Sequence, residues 1–300
     1  FAALSGISAC FSFAIVLSGV LFPSLLSASR PMSHIIFFIS FADLLGSIGS
    51  TWGFPHDDTN LCTAQGFFWT YFFPCCWFWT VALGHQLRNL LIDKKISCRL
   101  STMHLRVWTL AFLPALLPLS TNNYGQDDIV ADHGTCTFGS DPYFKEMWLF
   151  AVFFSLPILC FIALGIFAWQ IKTHFAKNSI QNDSREYSLY RAMRVYPIAI
   201  LITWIPMIIT STTVHFNDDK AYYLSISLCF TSQYGTLVAI FFMMNSHRLR
   251  KHWLDLLCGK RNRSSPNTHY SPDGAHMERA TDTQLSRESS IITSTTTSTA

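Results

Sequence analysis

The sequence is short of charge. Only 13% of its 300 residues are Asp, Glu, Lys or Arg, whereas about 25% is usual in a soluble domain. The deficit is uneven, because long apolar stretches carry almost no charge while the residues after Gly259 carry many. The net charge of +3 is too small to indicate a nucleic-acid partner. This pattern argues against a soluble protein and predicts membrane spans followed by a polar tail.

Features that an enzyme or a pigment would need are also lacking. The last apolar stretch contains no lysine, which excludes a retinal Schiff base. The eleven histidines lie mostly in loops and at the ends of apolar stretches, so no intramembrane zinc site is predicted. Nine cysteines are too few for a dense disulfide scaffold in a chain of this length. We therefore expect no enzyme, no cofactor and no metal. The chain opens on Phe1 inside an apolar run, which we interpret as a missing N-terminus.

What the sequence does contain is seven apolar stretches of about twenty residues, the length of helix that crosses about 30 Å of hydrocarbon. They cover approximately residues 2–26, 33–54, 63–91, 105–120, 147–171, 195–216 and 221–244. The fourth is the shortest and contains two prolines, whose released backbone groups neighbouring helices can satisfy. The predicted fold is all-α, with a seven-transmembrane helix bundle over residues 1–245.

The loops between these stretches carry their charges asymmetrically. With seven spans and a cytosolic C-terminus, every Lys and Arg except Lys145 and Lys220 falls on the cytosolic side. The acidic loops, among them the one with Asp57 and Asp58, fall outside. Lys and Arg asymmetry sets the orientation of a chain during insertion. The sequence therefore predicts a multi-pass plasma-membrane protein whose C-terminus is cytosolic.

The chain changes character after the last span. Leu249, Trp253 and Leu257 recur at helical spacing among basic residues, which predicts a short amphipathic eighth helix in the lipid bilayer interface over residues 246–258. Cys258 at its end is a candidate for lipidation, with an unmodified thiol as the alternative.

Residues 259–300 are polar and rich in Ser and Thr. They cannot bury enough apolar surface to fold, so a disordered cytosolic tail is predicted. Phosphorylation by a kinase would give this tail an anionic patch for an arrestin-like protein. An inert solvated tail is the alternative.

Two cysteines lie where the chain faces an oxidising compartment. Cys62 is at the outer end of the third span, and Cys136 is in the long second outer loop. No other cysteine is predicted outside, so the two pair by exclusion. Their disulfide would hold the loop across the mouth of the bundle, a placement that recurs in seven-helix receptors.

One acidic residue, Asp43, lies deep inside a predicted span. An intramembrane carboxylate is costly and is expected to face the bundle interior beside a polar partner. Its setting, Ala42-Asp43-Leu44, resembles the second helix of seven-helix receptors. We expect Asp43 to anchor a polar network that rearranges on activation, and a static packing carboxylate is the alternative.

Short motifs in the third and sixth spans resemble one family of receptors. They are Phe78-Trp79-Thr80, Tyr196-Pro197 and Trp204-Ile205-Pro206. Over residues 33–253 the chain resembles the cyclic-AMP-receptor-like family of G-protein-coupled receptors, which covers slime-mould chemoattractant receptors with fungal, animal and plant relatives. It departs from rhodopsin-like receptors, because Arg88-Asn89-Leu90 stands where Asp-Arg-Tyr is usual and the seventh span lacks Asn-Pro-x-x-Tyr.

The resemblance implies a receptor that activates a heterotrimeric G protein by outward movement of the sixth helix. Pro206 permits a kink in that helix, and with Asp43 and Trp79 it forms the expected activation network. Basic residues would line the cytosolic opening. The candidates are Arg88, Lys94, Lys95, Arg191 and Arg194. For most of them, the excess of cations in cytosolic loops is a sufficient alternative explanation.

The outer halves of the spans are rich in aromatic residues with a few polar groups, which suits a small-molecule agonist. The candidates for its pocket are Gln65, Phe68, Trp69, Phe72, Trp204, Met207, Tyr222 and Tyr223. An aromatic belt at the membrane interface is the alternative. A membrane transporter or channel is the competing function, although transporters usually have several intramembrane charges and here one buried Asp is found.

Overall fold

The computed structural model describes residues 2–26, 31–52, 59–94, 100–126, 136–138, 142–178, 185–214 and 229–258. Of these residues, 91% are helical. The chain divides into two units, Phe1–Trp253 and Leu254–Ala300, and the second is described only as far as Cys258. The predicted tail, residues 259–300, lies outside the described residues.

The helices are α1 (Ala2–Leu21), α2 (Pro31–Thr51), α3 (Asn60–Arg88), α4 (Leu100–Ser120), α5 (Pro142–Trp148), α6 (Leu156–Lys177), α7 (Arg185–Met193), α8 (Val195–Val214), α9 (Tyr234–Asn245) and α10 (His247–Leu257). A 3₁₀ turn follows α1 at Pro23–Leu26, and π-helical turns follow α3 at Asn89–Asp93 and α5 at Leu149–Ser155. The strands β1 (Tyr124–Gln126) and β2 (Cys136–Phe138) pair antiparallel.

Five described helices are long and apolar enough to cross a membrane. They are Ala3–Leu21, Pro31–Thr51, Leu100–Ser120, Phe150–Lys177 and Glu186–Ile209. They overlap the first, second, fourth, fifth and sixth predicted spans and are compatible with a multi-pass membrane protein. The surface agrees, because large apolar side chains such as Leu105, Phe150 and Trp169 are 66% to 69% exposed. In water such surfaces are rare on monomeric proteins.

The third predicted span forms α3, but α3 is not among the five because it contains many polar and aromatic residues. These side chains are buried among neighbouring helices, and α3 contacts α2, α4, α6 and α8 as well as both strands. Its first turn is capped by Thr59, whose hydroxyl accepts a hydrogen bond from the Cys62 N–H at 3.2 Å. Central position thus explains the lower hydropathy of this helix.

Several boundaries differ from the sequence prediction, and helix α6 continues to Lys177 rather than ending near residue 171. Helix α4 begins at Leu100 rather than near residue 105, and α7 occupies part of what was expected to be an inner loop. A turn at Arg194 separates α7 from α8, so the sixth apolar helix has a polar extension before it. The seventh predicted span is described only from residue 229, with α9 contacting α1, α2 and α8. The count of seven spans stays a prediction.

Candidate functional site

The β-hairpin covers one end of α3, which we call the outer end; the end near Arg88 is called the inner end. The hairpin pairs Tyr124 with Phe138 and Gln126 with Cys136. Cys136 is joined to Cys62 in the first turn of α3 by a disulfide, with the Cα atoms 5.2 Å apart. The predicted disulfide is therefore present, and it holds β2 against α3.

Buried hydrogen bonds reinforce this covalent link. The Gln65 amide is fully buried, donating to the Gly49 carbonyl at 3.0 Å and accepting from the Cys136 N–H at 2.9 Å. It thereby connects α2, α3 and β2. The sequence predicts Gln65 as a ligand contact, whereas in the structure its amide holds α2, α3 and β2 together.

Tyr124 of β1 provides a second set of buried hydrogen bonds at the outer end. Its hydroxyl donates to the Ala115 carbonyl of α4 at 2.8 Å and is hydrogen-bonded to Thr70 of α3. Burial raises the pKa of Tyr124, so the phenol stays neutral at physiological pH. Its ring also lies against Gly66, where a Cβ would meet the Thr137 carbonyl at 2.9 Å. The close approach of hairpin and helix requires glycine there.

The aromatic ligand candidates do not share one open surface. Trp69, Phe72, Trp204 and Met207 are all less than 10% exposed. Phe68 is half-buried and contacts the rings of Trp52 and Phe72, with centroids 4.8 Å and 5.1 Å away. Tyr222 and Tyr223 lie outside the described residues.

An aromatic cluster at the centre of the molecule brings some of these candidates together. Trp69 contacts Phe73 at 5.1 Å, and Phe73 contacts Trp204 at 5.8 Å. The Trp77 ring is edge-on to the Trp204 ring, with centroids 4.5 Å apart. The Phe153 ring is parallel to the Trp204 ring, with centroids 6.3 Å apart. Such edge-to-face pairs are favoured by the ring quadrupoles.

The cluster reaches the hairpin, because Phe138 of β2 is 5.6 Å from Phe153. Phe73, Trp77 and Phe153 are not among the site residues predicted from the sequence. The spacing of four residues from Trp69 to Phe73 and to Trp77 was the available signal, since it places the three rings on one face of α3.

Asp43 lies in a polar cluster formed by α1, α2 and α9. Its Oδ2 accepts hydrogen bonds from Ser12 at 2.8 Å, from Ser8 at 3.1 Å and from Ser47 at 3.5 Å. The residue is 1% exposed, so it faces the interior with polar partners, as the sequence predicts. Gly235 of α9 lies against the carboxylate and leaves no room for a Cβ.

The serines of this cluster were not identified from the sequence. Ser8 and Ser12 are four residues apart on α1, and Asp43 and Ser47 are four apart on α2, so each pair shares a helix face. That spacing was the signal available in the sequence. Tyr234 precedes Gly235 in the chain. Its hydroxyl is 2.7 Å from the Thr80 hydroxyl, and this hydrogen bond joins α3 to α9.

The other two members of the expected activation network lie on different elements. Trp79 of α3 packs against the rings of Phe38 at 5.3 Å and His104 at 4.9 Å. Pro206 lies within α8, two residues after Trp204 of the aromatic cluster. The network of Asp43, Trp79 and Pro206 stays a prediction.

At the inner end, ion pairs and single hydrogen bonds join the helices. Arg88 forms an ion pair with Asp93 and donates to Gln170 of α6 at 3.1 Å. Lys94 forms an ion pair with Glu186 of α7. Arg88 and Lys94 are thus engaged within the molecule.

The remaining basic candidates differ from Arg88 and Lys94. Arg191 and Arg194 are exposed and form no ion pair with any described residue. Lys95 lies outside the described residues. Nearby, the Asn245 amide donates to the Ala192 carbonyl at 2.9 Å, joining the end of α9 to α7.

The first half of α10 packs against the end of α1. The Trp253 indole N–H donates to the Ser18 hydroxyl at 2.9 Å, and the His252 ring stacks on Phe22 with centroids 4.8 Å apart. Cys258 is exposed and has a free thiol.

A scan against models of known protein families finds no match to this chain, and a search of curated proteins finds no significant relative. The resemblance to cyclic-AMP-receptor-like receptors therefore stays a prediction from short motifs.

Proposed function

We propose that this chain is a seven-span G-protein-coupled receptor that binds an extracellular small-molecule agonist and activates a heterotrimeric G protein. Its location is the plasma membrane, with the C-terminus in the cytosol. The sixth span consists of α7 and α8, and Pro206 allows it to kink. On activation its inner end moves outward. Helix α10 is the interfacial eighth helix with Cys258 as its lipidation site, and a kinase or arrestin-like protein acts on the tail.

The observation that carries this proposal is the hairpin tied across the outer end of α3 by the Cys62–Cys136 disulfide. A covered mouth suits a protein that holds a ligand and suits a transport pathway poorly. The aromatic cluster runs from Phe138 in this hairpin through Phe153 to Trp204 on α8. A ligand that displaces an aromatic ring near the hairpin would therefore act on the helix that contains Pro206.

The inner end supports the proposal through its charges. Arg191 and Arg194 are exposed cations at the junction of α7 and α8, where movement of the sixth span opens the bundle. Cations at such a mouth attract acidic partners and accelerate their association. Lys94–Glu186 and Asn245–Ala192 hold the same segment in the closed arrangement.

The first test is guanine-nucleotide exchange on a panel of Gα subunits in membranes that contain the protein, with and without candidate small molecules. The variant is Arg191→Gln/Arg194→Gln, for which we expect a loss of roughly tenfold in exchange rate. A charge-matched control, Arg106→Gln/Lys172→Gln, removes two exposed cations from α4 and α6. Equal loss in the control would mean that total charge, rather than position, causes the effect.

Asp43→Asn tests the role of the polar cluster. The amide keeps the shape of the side chain and still accepts from the serines, but it removes the negative charge. We expect altered agonist-dependent exchange at unchanged surface expression. If signalling is unchanged while expression is preserved, Asp43 is a static packing residue.

Exchange with no subunit, despite correct surface expression and a broad ligand panel, would favour the transporter or channel. A flux assay would then decide, and flux that Asp43→Asn abolishes would identify the carboxylate as part of a pathway.

A further inference from the structure

A cleft of about 330 Å³ lies between α3, α6 and α8 in the inner half of the molecule. Gly84 contributes from α3, Gly165 and Ala168 from α6, and Ile198 from α8. Its lining is almost entirely apolar, and Arg194 stands at one end. The volume is near the lower limit of about 300 Å³ for ligand pockets.

Small residues create this cleft. A Cβ at Gly165 would have no atom within 4 Å, so the helix surface there is open space. Gly165 and Ala168 are exposed and lie within a helix that is long and apolar enough to cross a membrane. Larger side chains at these two positions would fill the cleft.

The cleft opens toward the medium that surrounds the apolar helix faces. Beside it, Ile162 and Ile166 of α6 are 54% and 47% exposed, and Ile198 and Ile202 of α8 are 42% and 49% exposed. In a membrane such a surface is covered by acyl chains, which are as apolar as these side chains. Hydrocarbon is therefore the natural occupant of the cleft.

The charged end of the cleft lies near the membrane boundary. Arg194 comes directly before α8, whose 20 residues are about 30 Å long, the thickness of the hydrocarbon. Arg194 is exposed there without an ion-pair partner among the described residues. A guanidinium binds a phosphate through two parallel hydrogen bonds. Tyr190 is also among the lining residues.

We propose that the cleft binds an anionic glycerophospholipid, with one acyl chain between α6 and α8 and its phosphate on Arg194. A free anion would make no use of the apolar lining, and a zwitterionic lipid offers the same phosphate but adds a cationic group that the guanidinium repels. This site does not depend on the proposed function, because lipid binding is measured without a G protein.

The experiment is native mass spectrometry of the full chain in detergent, titrated with phosphatidylserine or with phosphatidylcholine of the same acyl chains. The test variants are Arg194→Gln and Gly165→Phe. Each has a matched control: Arg191→Gln removes an exposed cation three residues away, and Gly6→Phe adds the same ring at another glycine with open space around it.

We expect phosphatidylserine adducts to exceed phosphatidylcholine adducts, and both test variants to lower phosphatidylserine affinity by roughly tenfold. The two controls should change it less than about twofold. If Gly165→Phe does not fold, Ala168→Phe fills the same cleft from the next turn.

Three results would overturn the proposal. Equal binding of the two lipids excludes recognition of the anionic headgroup. A loss with Arg194→Gln but not with Gly165→Phe or Ala168→Phe means a surface cation without an acyl-chain site. Unchanged lipid binding together with loss of nucleotide exchange in the cleft-filling variants would make the cleft a docking site for a protein partner.

Discussion

The outer and inner ends of this protein are held together by different interactions. At the outer end, the Cys62–Cys136 disulfide joins the hairpin to α3, and Gln65 adds fully buried hydrogen bonds. At the inner end, the Lys94–Glu186 ion pair joins the turn that follows α3 to α7, and its side chains are 60% and 36% exposed. The hydrogen bond from Asn245 to α7 is also exposed.

This difference indicates which end moves at low cost. Exposed ion pairs contribute about 0–1 kcal/mol, because water replaces the lost contact. A buried polar group that loses its partner costs about 1–3 kcal/mol. A disulfide is covalent, so a change of conformation leaves it intact. Rearrangement is therefore expected at the inner end, where the proposed function requires it.

The disulfide is expected to have the largest effect on stability. Replacing both Cys62 and Cys136 by Ala opens a link between residues separated by 74 positions and should cost about 2–5 kcal/mol. Thermal unfolding in detergent measures this, with Cys10→Ala, an exposed free cysteine, as the control. An unchanged melting temperature would show that the outer end does not depend on the covalent link.

Two glycines of α3 compare the ends directly. Alanine at Gly66 would meet the Thr137 carbonyl at 2.9 Å and the Tyr124 ring, so we expect Gly66→Ala to cost about 1–3 kcal/mol. Alanine at Gly84 would meet side-chain atoms, the Cδ2 atoms of Leu164 and Phe167, at 2.8 Å and 3.3 Å. Because these can move into the cleft, Gly84→Ala should cost less than about 1 kcal/mol. Equal melting temperatures for the two variants would contradict the comparison.

Tyr124→Phe removes one buried hydroxyl of the outer end and should cost about 1–2 kcal/mol, since the Ala115 carbonyl loses its donor. Tyr190→Phe is the inner-end control, because no described residue bonds the Tyr190 hydroxyl. Melting temperatures of the two variants and the parent protein measure the difference. A loss with Tyr190→Phe as large as that with Tyr124→Phe would contradict the prediction.

The burial of Tyr124 also predicts that the free energy of unfolding depends on pH. Burial raises the pKa of Tyr124 in the folded protein. As pH rises, the unfolded chain therefore releases this proton at about pH 10, before the folded protein does. The contribution of Tyr124 to stability is complete below that pH and is lost as pH rises through the higher folded-state pKa. Unfolding measured from pH 9 to pH 11 should show a smaller alkaline loss in Tyr124→Phe than in the parent protein.

The smallest effect is expected at the Lys94–Glu186 ion pair. Lys94→Gln should change the free energy of unfolding by less than about 1 kcal/mol, and less still at high salt. If the proposed function is correct, basal nucleotide exchange should rise, because α7 is released. The reversed pair Lys94→Glu/Glu186→Lys should return exchange to the parent level. A stability loss as large as that of the disulfide variant would overturn the contrast between the ends.

Much of the fold could be predicted from the sequence, because apolar stretches of about twenty residues report directly on membrane-crossing helices. Five predicted spans overlap helices of the required length and hydropathy, and the Cys62–Cys136 disulfide is the pairing expected from the predicted topology. The extent of α7 was missed, because Arg185–Met193 is polar and the prediction relied on apolar length. Composition alone also could not show that α3 occupies the centre.

The candidate pocket shows where sequence reasoning ends. Outer-half aromatics were selected by position, but position along a helix does not say which neighbour each ring meets. In the tertiary structure, Gln65 is hydrogen-bonded to β2, Trp204 lies in a buried cluster with Phe153, and Phe68 makes a separate contact with Trp52.

The sequence by itself determined that this is a helical protein with apolar segments of membrane-spanning length, a disulfide between Cys62 and Cys136, and a buried carboxylate at Asp43. These properties depend on residue type and local spacing. Tertiary structure decided which serines surround Asp43, which cations lack an ion-pair partner among the described residues, and that Gly165 borders a cleft beside Arg194. The physical reason is that helix rotation and neighbour choice arise from packing between segments distant in the chain, and local periodicity does not specify them.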